Sequence, residues 1–128
     1  MIKWPLVDFI VELLGAARTT PYFFVQVRNT RQGLTSGDRR LRVQLREGKV
    51  RQLVSYPAPT YIVGVDEREE RAYIVSANGE NLTSMCNMST RFPMNKRNRS
   101  ALWKEVNDFW AARPKTAFVS RFADPEWR

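Results

Sequence analysis

The sequence PYFFVQVRNT, residues 21–30, begins like a buried strand and ends in polar side chains. Alternate residues of a strand share one face, so Gln26 and Arg28 point to the same side as Phe24. Apolar residues occupy both faces of the first half, as in a buried strand. The stretch therefore predicts a buried strand that presents an amide and a cation on one surface.

The length and composition of the chain are those of one globular domain. Its 128 residues are 43% hydrophobic and 27% charged, which is ordinary for a domain with a single core. No apolar run reaches the roughly 18 residues of a membrane span, and Asp8 and Glu12 interrupt the apolar N-terminal segment. We therefore predict a cytoplasmic protein without a membrane segment.

Residue counts limit the chemistry that the chain can perform. The chain has one cysteine, Cys86, and no histidine. An internal disulfide, the common zinc sites and histidine-based catalysis are thereby excluded. Any active or binding site must use carboxylates, amides, hydroxyls, lysines and arginines.

The net charge of +8 is concentrated in two segments. Residues 18–51 contain nine basic and two acidic residues, a net charge of +7, and residues 91–99 contain four basic residues and no acid. Clustered arginines bind phosphate groups through paired hydrogen bonds, so the clusters predict a nucleic-acid partner. DNA is expected in preference to RNA, although the charge itself does not distinguish the two. The alternative is a solvated surface whose charge keeps the protein soluble.

Hydrophobic periodicity predicts a mixed α/β fold of the α+β type, with a central mixed sheet of about five strands and two helices. Residues 1–114 are predicted to form one domain and residues 115–128 a C-terminal tail. Residues 78–97 are predicted to be irregular. The predicted strands are residues 5–14, 22–29, 41–45, 60–66 and 72–77, with hairpins between the first two and the last two. The predicted helices are residues 46–56 and a segment capped by Ser100 that ends near Pro114.

Three aromatic residues of the second predicted helix recur at helical spacing. Trp103, Phe109 and Trp110 fall on one face with Leu102 and Val106. This spacing favours a role in the core over a role in stacking on nucleic-acid bases.

Antiparallel pairing of the first two strands would place an acid beside Gln26 and Arg28. Asp8 and Glu12 share one face of the first strand, although four strand residues separate them by about 13 Å. Carboxylate and amide oxygens suit magnesium, and a neighbouring cation can stabilise charge on a phosphoryl group. We therefore predict a Mg²⁺ site with Asp8 and Gln26 as ligands and Arg28 beside it.

Several segments together resemble a known nuclease superfamily. VDFIVEL (7–13) followed by FFVQVRNT (23–30) is similar to the core of the PD-(D/E)xK superfamily, in which an Asp opens the motif and an acid or Gln, one residue and a Lys follow on the next strand. With YPAPTYIVGVD (56–66) and AYIV (72–75), the order of segments over residues 5–112 resembles a family of bacterial domains of unknown function assigned to that superfamily and linked to phage defence or mobile elements.

The resemblance implies a restriction-endonuclease-like core and Mg²⁺-dependent hydrolysis of phosphodiesters. Asp8 would be the metal-binding acid, Gln26 would occupy the second acidic position, and Arg28 would replace the catalytic lysine. An arginine stays protonated near neutral pH, so Arg28 can stabilise charge but cannot act as a general base. The residues expected to hold the nucleic-acid backbone are Arg31, Arg39, Arg40 and Arg42.

Three other interpretations are open on the sequence. Asp8 can mark a strand edge, with Gln26 and Arg28 forming a structural pair that makes a surface salt bridge to Asp8 or Glu12. The domain can be a catalytically inactive nucleic-acid-binding module, which Arg28 favours. It can also be an interaction subunit, because the family usually begins with a helix before the Asp strand; a homodimer or a partner subunit would then supply that helix.

Overall fold

The computed structural model describes residues 8–15, 21–37, 39–78, 84–112, 121–122 and 124–126. These residues form a mixed α+β fold, as the periodicity predicted. The elements, in chain order, are β1 (Phe9–Glu12), β2 (Tyr22–Thr30), β3 (Leu41–Leu45), α1 (Glu47–Val54), β4 (Thr60–Asp66), β5 (Arg71–Ser76), β6 (Met85–Met88) and α2 (Lys96–Ala111). Residues 5–7 of the predicted first strand and most of the predicted tail lie outside the described residues.

The main sheet has four strands in the order β1-β2-β4-β5. β1 runs antiparallel to β2, β2 parallel to β4, and β4 antiparallel to β5, so both predicted hairpins are confirmed. The parallel pair needs a crossover connection, which β3 and α1 provide. The sheet is therefore mixed, with β2 and β4 at its centre.

Of the five predicted strands, the third, β3, does not join the main sheet. It pairs antiparallel with β6 in a second, two-stranded sheet. The prediction that residues 78–97 are irregular was wrong for β6. Its sequence, MCNM, has no β-branched or aromatic residue, and Asn87 has a φ of 75°, so only the pairing with β3 makes this segment a strand.

β2 is buried on both faces, which explains its almost continuous apolar sequence. On one face Phe24 packs with the second sheet and α1, in a cluster that includes Leu41, Leu53, Ile62 and Met88. On the other face the cluster contains Phe23, Val25, Tyr61, Ile74 and Val106 of α2. The main sheet thus separates two cores, one beneath α2 and one beneath the second sheet.

α2 differs from its prediction in two respects. It begins at Lys96, where the side chain of Asn95 accepts a hydrogen bond from the backbone N–H of Asn98, so Ser100 is an interior residue and not the cap. Trp103 was predicted to be core, but it is 39% exposed, whereas Val106 is fully buried. At 3.6 residues per turn Trp103 lies about 60° around the helix from Val106, at the margin of the buried stripe.

Gly64 allows the second sheet to approach β4. A Cβ atom at this position would lie 2.6 Å from Leu41 Cδ2 and 2.6 Å from Met88 Sδ. Both of these side chains are fully buried, so their ends have little space to move. The position therefore requires a residue without a side chain.

We expect Gly64→Ala to lower the free energy of unfolding by about 1–3 kcal/mol, because the added methyl group overpacks the contact with Leu41 and Met88. Gly48→Ala, in α1 with no atom within 4 Å of the new Cβ, should instead raise it by up to about 1 kcal/mol. Urea denaturation of both variants measures the two effects. Equal effects of the two substitutions would contradict the packing assigned to Gly64.

No helix in the described part of the chain is long and apolar enough to cross a membrane.

Candidate functional site

The carboxylate of Asp8 lies directly beside the side chain of Gln26. Asp8 Oδ2 accepts a hydrogen bond of 2.9 Å from Gln26 Nε2 and one of 2.7 Å from the backbone N–H of Val27. The backbone N–H of Asp8 donates to the carbonyl of Val25 at 3.1 Å, so the β1–β2 pairing continues through Asp8. The structure therefore brings together the two residues predicted as metal ligands.

The side-chain oxygen of Gln26 has no hydrogen-bond donor among the described residues. The side chain is 3% exposed, and its nitrogen donates to Asp8 and, at 3.4 Å, to the carbonyl of Val27. Oε1 is buried and unpaired in the described part of the chain. An unsatisfied buried acceptor costs about 1–3 kcal/mol, so a purely structural contact with Asp8 does not explain why the position holds an amide.

Arg28 lies on the same face of β2 as Gln26 and is half-buried. None of the three ion pairs among the described residues includes Arg28. The structural alternative, a Gln26–Arg28 pair with a salt bridge to Asp8 or Glu12, is therefore not the arrangement found, because Gln26 pairs with Asp8 and Arg28 lines a neighbouring cleft. Glu12 is exposed and lies opposite Tyr22 at the far end of β1.

Arg28 lines a cleft of about 780 Å³ between the end of β2 and the second sheet. Three arginines and several amides line it, and no carboxylate does so among the described residues. The lining residues are Arg28, Asn29, Thr30, Arg31, Gln32, Arg42, Val43, Gln44 and Asn87. We refer to this concave surface as the arginine cleft.

The predicted backbone-binding arginines divide between the arginine cleft and other surfaces. Arg31 and Arg42 line the cleft, and Arg28, which was assigned to catalysis, joins them. Arg40 lies in a different cavity, where its Nη2 donates to the carbonyl of Asn87 at 3.0 Å. Arg39 is exposed and has a φ of 53°. The structure therefore groups two of the four predicted residues.

The turn after β2 places Arg31 at the rim of the cleft. Thr30 Oγ1 accepts a hydrogen bond from the backbone N–H of Gln32 at 3.0 Å, and Gly33 follows with a φ of 72°. Glycine adopts this left-handed conformation without steric cost, so the chain can turn sharply here. The side chain of Arg31 is thereby directed toward the β4–β5 turn.

Glu67, in the β4–β5 turn, binds two residues at this rim. Its carboxylate accepts from Arg31 Nε at 2.8 Å and from Asn29 Nδ2 at 2.6 Å. These two hydrogen bonds, with Arg31 the stronger influence, lower the pKa of Glu67. The sequence marks residues 66–70 only as locally acidic, so nothing in it predicts that Glu67 offsets the charge of Arg31.

We expect the pKa of Glu67 to lie below the usual value of about 4.3 and to rise toward it in Arg31→Gln. Because the folded-state pKa is lowered, the stabilisation from this contact is complete above the unfolded-state pKa and is lost as the pH falls through the folded-state pKa. Carboxyl ¹³C NMR between pH 2 and about 6 follows the titration. Asn29→Ala should raise the pKa of Glu67 less than Arg31→Gln does. An unchanged titration midpoint of Glu67 in Arg31→Gln would refute Arg31 as the main cause of the lowered pKa.

Comparisons of this chain with protein-family models, with curated protein sequences and with solved structures find no match. The similarity to the PD-(D/E)xK superfamily thus remains a prediction from the quoted segments. The described residues also contain no group of three or more Cys, Asp and Glu side chains that could hold a metal ion. A metal at Asp8 would therefore rely on one carboxylate, the Gln26 amide and water.

Proposed function

We propose that this domain binds the phosphate backbone of nucleic acid in the arginine cleft. The observation that carries the proposal is the position of Arg28, Arg31 and Arg42 in one concave surface without a carboxylate lining it among the described residues. Guanidinium groups donate paired hydrogen bonds to phosphate oxygens, and amides such as Asn87 and Gln44 add further donors.

The half-burial of Arg28 favours this function over a merely solvated surface. A guanidinium that is partly removed from water loses hydration, and the usual compensation is a bound carboxylate or phosphate. No ion pair in the described part of the chain compensates Arg28, although Glu67 does so for Arg31. A phosphate bound in the cleft would supply the missing negative charge.

Double-stranded DNA is the partner that we propose. No aromatic side chain is among the described residues that line the cleft, so the cleft offers no platform on which an unpaired base could stack. Contacts there would go to the backbone, which positions a protein on a duplex without selecting a sequence. The resemblance to nucleases of the PD-(D/E)xK type also favours DNA.

We expect the protein to bind a fluorescein-labelled 20-bp DNA duplex with an affinity that falls steeply with salt. In the double variant Arg28→Gln/Arg42→Gln, affinity should fall. The slope of log K against log salt should also decrease, by about 0.9 for each DNA phosphate that the variant no longer neutralises. Fluorescence anisotropy at several salt concentrations measures both quantities.

Arg51→Gln is the matched control for this measurement, because Arg51 lies on α1 and pairs with Glu47 outside the cleft. It should change the slope much less than the double variant. Wild-type affinity in Arg28→Gln/Arg42→Gln would eliminate the cleft as the binding surface.

Mg²⁺-dependent phosphodiester hydrolysis is a second candidate function, favoured by the pairing of Asp8 with Gln26. Mg²⁺ holds oxygens at 2.0–2.1 Å in octahedral geometry, so adjacent ligands lie about 2.9 Å apart. The distance from Gln26 Nε2 to Asp8 Oδ2 is also 2.9 Å. Rotation of the amide would exchange Nε2 for the unpaired Oε1, so Asp8 and Gln26 would each offer one oxygen, a ligand type that Mg²⁺ accepts.

Asp8, Gln26 and Arg28 would have different roles at this site. Asp8 and Gln26 would hold the ion, which when bound supplies an activated water and neutralises phosphate charge. Arg28 would stabilise the charge that develops on the phosphoryl group, but it cannot accept the proton of the attacking water. We therefore propose that cleavage by the natural sequence is slow.

Calorimetry should show binding of Mn²⁺ to the wild-type protein and its loss in Asp8→Ala and Gln26→Leu. Glu12→Gln, a change on the same face of β1, should leave the binding intact. Arg28→Lys should raise the cleavage rate of a DNA substrate at least about tenfold, because a lysine can exchange a proton. Equal Mn²⁺ binding in wild type and Asp8→Ala would exclude the metal site.

A further inference from the structure

The outer face of α2 combines an exposed tryptophan with basic side chains. Lys96, Arg99, Ser100 and Trp103 line a shallow depression of about 350 Å³. Their spacings of three, four and seven residues place all four on one face of the helix. The volume lies at the lower end of the range of about 300–1,000 Å³ for ligand sites.

Trp103 is anchored at one edge while part of its ring remains in solvent. Its Nε1 donates to the backbone carbonyl of Leu14 at 3.4 Å, and the residue is 39% exposed. The anchor limits rotation of the ring, so the exposed part of the indole keeps its position beside Arg99. A fixed, partly exposed aromatic ring is a suitable surface for a flat ligand.

The charge around this tryptophan is strongly positive. Residues 91–104 include five basic residues and no acid. Of the five, only Lys104 forms an ion pair within the described part of the chain, with Asp108 at 3.3 Å. The first turn of α2 holds no acidic residue, and its free N–H groups add partial positive charge. An anionic ligand would complement both sources of charge.

We propose that this face of α2 binds single-stranded nucleic acid, with a base stacked on Trp103 and backbone phosphates on Lys96 and Arg99. Aromatic stacking beside cations is the common way in which proteins bind single strands without sequence preference. Lys96 and Trp103 are separated by about 10 Å along the helix axis, a span of about three stacked nucleotides at 3.4 Å each. The hydroxyl of Ser100 can donate to a phosphate between them.

The α2 surface is separate from the arginine cleft, so this proposal does not depend on the proposed function. α2 packs on the face of the main sheet that carries Phe23 and Val25. Arg28 lies on the opposite face, where β2 packs toward the second sheet. A short oligonucleotide bound at one surface would therefore not reach the other through the sheet.

Anisotropy with a fluorescein-labelled 12-nucleotide oligothymidylate tests the proposal. Trp103→Leu, which keeps apolar volume but removes the ring, should weaken binding about 5- to 150-fold, the range found for loss of one stacked base. Trp103→Phe should retain most of the affinity. Lys96→Gln/Arg99→Gln should weaken binding and lower the salt slope by about 0.7 for each phosphate that is no longer neutralised.

The control is Arg51→Gln, on α1 and outside both surfaces, which should bind the oligothymidylate like wild type. Duplex binding is measured in parallel on Arg28→Gln/Arg42→Gln. If Arg28→Gln/Arg42→Gln binds the duplex like wild type but Trp103→Leu no longer binds the oligothymidylate, the cleft proposal fails and the α2 proposal stands. Thermal melting of each variant verifies that its fold is intact.

Two results would overturn the proposal. One is an unchanged affinity for oligothymidylate in Trp103→Leu. The other is a wild-type protein that binds vesicles containing phosphatidylserine but shows no measurable binding of oligothymidylate, with vesicle binding lost in Trp103→Leu. This face of α2 would then contact a membrane surface.

Discussion

The structure is built around one strand, β2, which is buried on both faces. Phe23 and Val25 pack toward α2, while Phe24 packs toward the second sheet and α1, so both layers are organised by one strand. The apolar sequence ends before the strand does. Beyond Val25 the side chains on the face of Phe24 are Gln26, Arg28 and Thr30, and the strand continues along the wall of the arginine cleft. The candidate chemistry therefore lies where the hydrophobic core stops.

The polar end of β2 combines a structural contact with features that a structural role does not require. Asp8 accepts the backbone N–H of Val27, as a strand-capping residue would, and this bond alone could account for an acid at the position. Gln26 is different, because its buried oxygen is unpaired among the described residues and an apolar side chain of similar size would remove that cost. Arg28 is likewise half-buried, and it forms no ion pair with any of the described residues. Such departures from good packing are typical of functional sites.

The parts of the fold that the sequence predicted are those with strong local patterns. The alternation of LRVQL in β3 and the β-branched runs of β4 and β5 each specify a strand without help from distant residues. MCNM in β6 has no such pattern and becomes a strand only against β3. The N-cap of α2 was misplaced because both Asn95 and Ser100 are good caps, and helical spacing alone could not show how narrow the buried stripe is at Trp103.

Sequence patterns were enough to predict the strands that alternate or are wholly apolar, the two helices, the clustering of positive charge, and the presence of Gln26 and Arg28 on one face of β2. These properties depend on side-chain periodicity and composition, which are local. The folded chain was needed to show that Asp8 does meet Gln26, as antiparallel pairing predicted, that Arg42 and not Arg40 joins Arg28 in the cleft, and that Glu67 offsets Arg31. Each of these contacts joins residues 14 to 36 positions apart. Such contacts depend on strand pairing and chain reversals that no local pattern encodes.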